Sequence, residues 1–388
     1  MMRQQVKLGI EVFLDKHIEK VRGKRVGLLT NQTGTNSQLV STIRLLNNHP
    51  SVNLTALFAP EHGLKTAAKE GERFSDMVHE EIGLPVFSLY GASKKPTPEM
   101  LELVDIVIFD IQDIGARYYT YIYSLAYMMQ ACALQDKRVI VLDRPNPIGG
   151  LEVEGNLIEE DFTSFVGLYP IPNRHGMTVG EIACYFNSVC SNQCELTVIE
   201  MEGWKREYYF TDTALPWIPP SPNTTGLDMM LLYPGTCLIE GTNLSEGRGT
   251  TQPFEIVGAP FINGTQLQDE INRLSLPGLK ARALEFKPTY QKFAGEVCDG
   301  IQLHITDREN FKSYQSFLKV LEVILRMYPE EVKFLEYGSL KHPMFDLLAG
   351  NSKLRIELQR GDITSYMTEV KRDTKQFIEQ RQTYLLYR

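Results

Sequence analysis

The part of the chain richest in chemically useful side chains is residues 109–123, which directly follow a run of apolar residues. This segment holds two carboxylates, Asp110 and Asp113, together with Arg117 and four tyrosines. Carboxylates, a cation and aromatic rings placed together are typical of a site for a sugar or another polar ligand. We therefore predict one wall of a ligand site here. The alternative is that the two aspartates cap a helix or pair with Arg117.

Glu61 and His62 form a second candidate, between Pro60 and Gly63 in a short rigid turn. This position suits a general acid or base, because shelter from water moves the pKa of a carboxyl group toward the working pH. The alternative is that Glu61 caps the next helix or pairs with a lysine at the surface.

Two further candidate sites, each with an arginine, follow along the first half of the chain. Asp143 and Arg144 come after another apolar run, and Arg144 is suited to grip a carboxylate through two hydrogen bonds. The alternative for this pair is an ion pair inside the protein. Arg174 and His175 precede a predicted helix, and a helix N-terminus with two such side chains favours an anionic group.

The second half of the chain carries one comparable segment, residues 240–251. It is rich in glycine, acidic and hydroxyl residues, and it includes Glu240, Glu246 and Arg248. We predict that this segment is a loop that crosses a cleft from a second domain.

The elements that position these groups are predicted from apolar runs that alternate with helical patterns, as in a parallel α/β sheet. Predicted strands are 25–30, 52–58, 86–89, 104–110, 138–143 and 196–200, and predicted helices are 37–47, 121–135, 178–188, 314–327 and 365–386. Because ligands bind beyond the carboxyl ends of parallel strands, the side chains that follow them should face one cleft. They are Asn31, Glu61, Tyr90, Asp110 and Asp143, with Tyr118 and Tyr121 as the tyrosines expected to reach the site.

A proline-rich break at residues 215–223 divides the chain into a predicted domain 1–224 and a smaller domain 225–388. At roughly 150 residues per domain, 388 residues are enough for two domains with well-formed cores.

Several classes of protein are disfavoured by composition. A net charge of −8 without a basic block argues against nucleic-acid binding. No apolar run reaches the ~20 residues needed to span a bilayer, and no export signal is visible, so we expect a cytoplasmic protein unless the sequence was trimmed. Six scattered cysteines predict reduced thiols and no metal site. Dinucleotide and phosphate-binding glycine motifs are missing, so no cofactor is expected.

Taken together, residues 59–63, 109–121, 142–147, 174–178, 220–223 and 239–251 resemble the NamZ-type exo-β-N-acetylmuramidases. The resemblance implies a Rossmann-like N-terminal domain, a smaller α/β C-terminal domain and a cleft between them. It also implies removal of terminal N-acetylmuramic acid (MurNAc) from the non-reducing end of peptidoglycan fragments, in cell-wall recycling. Glu61 matches the glutamate of the family's Pro-Glu-His-Gly motif, and we expect it to act as the general acid. The matching motifs add Asn223 and Asn243 as candidate substrate-binding residues.

Glycoside hydrolysis needs a second carboxylate, either as a nucleophile about 5–5.5 Å from the acid or as a base about 6.5–9.5 Å away. The candidates for this role are Asp110, Asp113, Glu240 and Glu246. MurNAc carries a lactyl carboxylate, so one or more of Arg117, Arg144, Arg174 and Arg248 should bind it. Two alternatives remain, a non-catalytic sugar-binding protein and a transferase that uses nucleotide or phosphate.

Overall fold

A computed structural model describes residues 5–65, 72, 75–91 and 93–388. The first half of the chain forms a seven-stranded sheet with the strand order β3-β4-β2-β1-β5-β6-β7. Its strands are β1 (Arg25–Thr30), β2 (Asn53–Ala59), β3 (Met77–Val78), β4 (Pro85–Ser88), β5 (Ile106–Asp110), β6 (Arg138–Leu142) and β7 (Glu195–Ile199). All neighbours pair in parallel except β3, which lies antiparallel to β4 at one edge. The predicted α/β class and parallel sheet are confirmed.

Helices cover this sheet and connect its strands. They are α1 (Gly9–Val12), α2 (Thr42–Asn47), α3 (Pro98–Leu101), α4 (Tyr121–Leu134) and α5 (Val179–Val189). The predicted helical pattern of α4 and the predicted N-terminus of α5 are confirmed. At that N-terminus the Glu181 backbone N–H donates to Thr178 Oγ1 at 3.2 Å, and the Thr178 N–H donates to Glu181 Oε2 at 3.0 Å.

One helix is shorter than its sequence pattern predicts. The predicted helix 37–47 begins only at Thr42, where α2 starts. The preceding residues form a turn instead, because Asn36 Oδ1 accepts hydrogen bonds from the N–H groups of Gln38 and Val40 at 3.1 and 2.9 Å. An asparagine that satisfies nearby backbone donors competes with helix formation.

The second half of the chain builds a smaller unit around a three-stranded antiparallel sheet, ordered β8-β10-β9. Its elements are α6 (Leu227–Thr236), β8 (Ile256–Ala259), α7 (Gly264–Arg273), β9 (Leu279–Phe286), β10 (Cys298–Ile305), α8 (Ser313–Met327), α9 (Met344–Ala349), α10 (Lys353–Arg360) and α11 (Thr364–Arg381). The sequence predicted α8 and α11. It missed α6, which contains Pro234 and is buried from Met229 to Thr236, so it shows no amphipathic period.

The two halves are not packed as separate bodies, since a continuous hydrophobic cluster includes buried residues of both. The end of the chain also returns to the first sheet. The Tyr387 hydroxyl donates to Asp143 Oδ2 at 2.6 Å, and Arg381 Nη1 donates to the Gly176 carbonyl at 2.6 Å. The domain boundary after residue 224 stays a prediction. Among the described residues, no helix has the length and apolar character to span a bilayer.

Candidate active site

A cavity of about 500 Å³ opens where the carboxyl ends of β2, β4 and β5 meet the second half of the chain. Glu61 follows β2, Tyr90 follows β4, and residues 118–121 follow β5. The opposite side comes from α6, the turn that contains Glu240, and α9. The cavity therefore lies at the sheet edge where ligands of parallel α/β proteins bind.

Glu61 is held in place by its turn and by a hydrogen bond from Thr120. Thr120 Oγ1 donates to Glu61 Oε2 at 2.7 Å, and the Glu61 residue is only 8% exposed. His62 and Gly63 both have left-handed backbones, with φ of 69° and 75°. For His62 this conformation costs on the order of 1–3 kcal/mol, a strain that is found mainly at functional sites.

Glu240 reaches the cavity from the other side, within an ion network. Arg248 Nη2 lies 2.8 Å from Glu240 Oε1, and Arg248 Nε lies 3.2 Å from Glu246 Oε1. Lys292 Nζ completes the network at 3.0 Å from Glu246 Oε2. Burial raises the pKa of the Glu240 carboxyl; the nearby charge of Glu246 adds to this effect, and the charge of Arg248 opposes it.

Three tyrosines, Tyr118, Tyr119 and Tyr121, line the cavity, and their hydroxyl groups bind residues of the segment 220–234. The Tyr118 hydroxyl donates to the Pro234 carbonyl at 3.0 Å, and the Tyr121 hydroxyl donates to the Pro220 carbonyl at 2.5 Å. The Tyr119 hydroxyl lies 3.2 Å from Thr224 Oγ1. Burial raises the pKa of all three phenols, so they stay neutral donors.

An aromatic wall with a cation completes the cavity. Lys94 Nζ lies 3.8 Å from the ring centroid of Phe165 and 5.3 Å from that of Tyr90. The two ring centroids are 6.0 Å apart. All three residues line the cavity, and Lys94 itself is exposed to solvent.

Eight of the residues predicted from the sequence line this cavity. They are Glu61, His62 and Glu240 from the candidate catalytic set, and Tyr90, Tyr118, Tyr121, Asn223 and Arg248 from the candidate binding set. Within the described part of the chain, Glu61 and Glu240 are the two carboxylates of its lining.

Asp110 and Arg144 do not line the cavity but form an ion pair inside the protein. Arg144 Nε lies 2.6 Å from Asp110 Oδ1, and both residues are at most 4% exposed. Thr42 Oγ1 donates to Asp110 Oδ2, and Arg144 Nη2 donates to the Thr35 carbonyl at 2.8 Å. Arg144 thus belongs to an internal ion pair, with Asp110 as its partner and not Asp143.

Asp143, Arg174 and Arg117 are also enclosed. Asp143 receives hydrogen bonds from Thr178 Oγ1 at 2.7 Å and from the Gly180 N–H at 2.8 Å, at the start of α5. Arg174 pairs with Glu154 at 3.0 Å. Arg117, 0% exposed, donates to four backbone carbonyls, two of them at the end of α9.

The other predicted residues away from the cavity lining bind parts of the protein. Asp113 Oδ2 accepts from the Gly115 N–H at 2.7 Å and lies 3.5 Å from His175 Nε2. Asn31 Oδ1 accepts from the Thr33 N–H at 2.9 Å, and Asn243 Nδ2 donates to the Glu331 carbonyl at 2.9 Å. Glu246 does not line the cavity but pairs with Arg248, whose Nε lies 3.2 Å from Glu246 Oε1.

Many cavity residues were not predicted as site residues. Lys94 follows the same strand as Tyr90, so the position that singled out Tyr90 could have found it. No local signal marks the apolar and hydroxyl residues that the second half and the 164–166 loop contribute. The unpredicted lining residues are Lys94, Tyr119, Thr120, Ser164, Phe165, Val166, Ser221, Thr224, Met229, Tyr233, Cys237, Phe254, Leu340, Met344, Leu347 and Leu348.

Within the ranges that the structure describes, no three His, Cys, Asp or Glu side chains lie close enough to one another to hold a metal ion. All six cysteines are free thiols.

The fold and the site together define a class of protein, an α/β protein with two glutamates in one cavity at the carboxyl edge of its parallel sheet, and paired carboxylates are the groups that most glycoside hydrolases use. The sequence model "Exo-beta-N-acetylmuramidase NamZ, N-terminal" matches residues 26–228, and its C-terminal counterpart matches residues 231–387. The chain belongs to this family.

A relative of known name and two solved structures agree with this assignment. The chain is 47% identical over 386 residues to "Peptidoglycan beta-N-acetylmuramidase NamZ" of Bacillus subtilis (strain 168), a match that covers 99% of this chain and 92% of the relative. Two crystal structures of DUF1343 family proteins from Bacteroides fragilis NCTC 9343 share the fold. One has a TM-score of 0.91 at 38% identity with all of both chains covered, and the other 0.76 at 30% identity with 99% of each covered.

Proposed function

We propose that this protein is an exo-acting glycoside hydrolase that removes terminal β-MurNAc from the non-reducing end of peptidoglycan fragments. The observation that carries the proposal is the pair of glutamates, Glu61 and Glu240, that enter one cavity from the two halves of the chain. The activity in the name of the Bacillus subtilis relative, which is 47% identical over nearly the whole chain, supports it.

Glu61 serves as the general acid in this proposal. It protonates the glycosidic oxygen of the leaving group as the bond to the sugar breaks. The hydrogen bond from Thr120 and the tight turn at His62 orient its carboxyl group, so that the proton is delivered in one direction.

Glu240 is the second carboxylate, acting as nucleophile or as the base that activates water. It must be ionised to do either, and Arg248 at 2.8 Å stabilises that ionised form. Burial and Glu246 raise the pKa of Glu240, so activity should fall on the acidic side at a higher pH than an ordinary glutamate would produce.

The substrates of this activity are saccharides or muropeptides derived from peptidoglycan. The sugar would lie between the tyrosine wall and the Phe165 face, since sugars bind well against aromatic rings. A cytoplasmic location stays a prediction, and the free thiols are compatible with a reducing compartment.

A chromogenic β-MurNAc glycoside tests the proposal against the matched β-GlcNAc glycoside. We expect turnover of the MurNAc substrate and little or none of the GlcNAc substrate. On a MurNAc–GlcNAc disaccharide, release of free MurNAc should be seen by mass spectrometry. Equal turnover of the two glycosides would contradict the proposed specificity for MurNAc. Binding without any product would indicate a sugar-binding protein and not an enzyme.

A further inference from the structure

The turn that carries Glu240 is held from outside the cavity by a lysine of the second half of the chain. Lys292 lies between β9 and β10 and does not line the cavity. We propose that Lys292 is a positioning residue for the hydrolysis: it fixes the Glu240 turn and neutralises Glu246, so that Arg248 remains the ion partner of Glu240. This inference rests on the proposed function and on the role of Glu240 in it.

The ammonium of Lys292 joins the two sides of the segment that carries Glu240. Lys292 Nζ donates to the Ile239 carbonyl and to the Leu244 carbonyl, each at 2.9 Å. Its third close contact is Glu246 Oε2 at 3.0 Å. An ammonium group has three donors, and these three contacts use them. The Glu240 carboxyl is thus carried on a segment whose backbone is fixed on both sides of it.

The partial burial of Lys292 ties it to this segment. Its side chain keeps only 18% of its exposure, and both carbonyls that it binds belong to residues that are 0% exposed. A charged group that leaves water is stabilised only by the polar partners that it gains. Lys292 therefore holds its place through the turn and through Glu246.

Four charges of alternating sign run from Lys292 to the cavity. Lys292 pairs with Glu246, Glu246 lies 3.2 Å from Arg248 Nε, and Arg248 Nη2 lies 2.8 Å from Glu240. In the part of the chain that the structure describes, Arg248 and Lys292 are the two cations that bind Glu246. Without Lys292, the single charge of Arg248 would have to offset two carboxylates, and it would stabilise the Glu240 carboxylate less.

Two other titratable groups face Glu240, from α6 and the residue after it. Cys237 Sγ lies 4.0 Å from Glu240 Oε1, and Tyr233 lies in the same cavity lining. Burial raises the pKa of both groups well above their ordinary values, so both are neutral when Glu240 titrates. The ion network therefore governs the ionisation of Glu240, and within it the charge of Lys292 acts with that of Arg248 to lower the pKa of Glu240.

Lys292→Met tests the inference because it keeps the apolar stem and removes the charge and the donors. On a chromogenic β-MurNAc glycoside we expect kcat to fall about 10–100-fold while KM changes less than about twofold, because a displaced carboxylate affects the reaction more than sugar binding. The acidic limb of the profile of kcat/KM against pH should move to higher pH. Glu246 is then no longer neutralised, so Glu240 is harder to ionise.

A double variant separates the charge of Lys292 from its packing. Glu246→Gln removes the negative charge that Lys292 neutralises, so Lys292→Met combined with Glu246→Gln restores the charge balance at Arg248. The acidic limb of the double variant should return toward that of wild type, although the lysine contacts are still missing. Lys292→Arg keeps the charge but not the fit of the ammonium, and it should keep the wild-type acidic limb while it loses part of kcat.

Lys287→Met is the matched control. Lys287 lies on the same connection between β9 and β10, is exposed and does not line the cavity, so this variant should match wild type in kcat and in its pH profile. Urea denaturation shows whether each variant is folded in the assay. If Lys292→Met does not fold, the double variant is compared with Glu246→Gln alone, and its acidic limb should lie at higher pH.

An acidic limb that stays at the wild-type pH in folded Lys292→Met, whatever happens to kcat, would overturn the inference and leave Lys292 a structural residue. The proposed function fails separately, if wild-type protein hydrolyses no β-MurNAc glycoside. In that case carbon-13 NMR of labelled glutamate carboxyl groups measures the ionisation of Glu240 directly, with its signal assigned by its loss in Glu240→Gln. A midpoint that rises in Lys292→Met would support the inference, and an unchanged midpoint would reject it.

Discussion

The cavity and a buried polar cluster show two different uses of the same residue types at the same edge of the sheet. The inner cluster, defined here as Asp110, Asp143, Arg144 and Arg174, follows β5 and β6, and none of its members is more than 4% exposed. The cavity carboxylates differ in position: Glu61 follows β2, and Glu240 lies in the turn after α6. The side chain of Glu240 keeps 23% of its exposure in spite of its ion pair.

The difference arises from what covers each strand end. The residues that directly follow β1, β5 and β6 are covered by the protein itself: Arg144 binds the Thr35 carbonyl, and Gln112 Nε2 donates to the Pro145 carbonyl at 2.7 Å. The segment after β5 reaches the cavity only further along, at residues 118–121. The ends of β2 and β4 meet a cavity instead. A polar side chain after a parallel strand is thus a candidate for ligand binding only where the chain leaves the strand end uncovered.

The largest expected effect is on catalysis at Glu61. Glu61→Gln should lower turnover of a β-MurNAc aryl glycoside by about 10²–10⁴-fold, because the leaving oxygen is no longer protonated. The loss should be much smaller with a 2,4-dinitrophenyl leaving group, which departs without protonation. Steady-state kinetics on the two substrates measures the difference.

Glu240→Gln is the matched variant for the other carboxylate. It should lose turnover on both leaving groups, and added azide should restore part of it by replacing the missing nucleophile or activated water. If Glu240→Gln instead shows the leaving-group dependence expected of Glu61→Gln, then the two roles are exchanged.

The second effect concerns stability in the inner cluster. Arg144→Met leaves Asp110 buried without its cation, which should lower the free energy of unfolding by about 3–5 kcal/mol. Urea denaturation measures it. Arg138→Met removes an arginine from an exposed pair with Glu195, and it should leave the denaturation midpoint nearly unchanged. Equal midpoints for the two variants would contradict the contrast between buried and exposed pairs.

The smallest effect is a dependence of stability on pH that comes from Asp143. Burial raises the pKa of Asp143 from 3.8 to about 7, although hydrogen bonds from Tyr387, Thr178 and Gly180 oppose this. Between these pH values the Asp143 carboxyl is protonated in the folded protein but ionised in the unfolded chain. The contribution to stability is therefore full below about pH 4 and is lost as the pH rises through about 7.

Tyr387→Phe sharpens this prediction. It removes a donor to the Asp143 carboxylate and should lower stability at pH 8 by about 1 kcal/mol, and less at pH 5, where the carboxyl is protonated. Denaturation midpoints at both pH values measure the change. An equal loss at pH 5 and pH 8 would show that Tyr387 acts through packing alone.

Much of the fold could be predicted because its signals are local. The apolar runs at β1, β5 and β6 and the capping residues Thr178 and Glu181 lie within a few positions of the elements that they define. The helix α6 could not be predicted, because contacts from distant parts of the chain bury it on all sides and stabilise it despite Pro234.

The sequence by itself determined which groups were available: a glutamate in a rigid turn after a strand, a second acidic segment far along the chain, and a parallel sheet to bring strand ends together. Tertiary structure alone decided their use. It buries Asp110 and Arg144 as an ion pair and leaves Glu61 and Glu240 in the lining of a cavity. It also places the Lys94 ammonium over the ring of Phe165. Burial and charge pairing depend on contacts between residues far apart in the chain, and these contacts exist only in the folded protein.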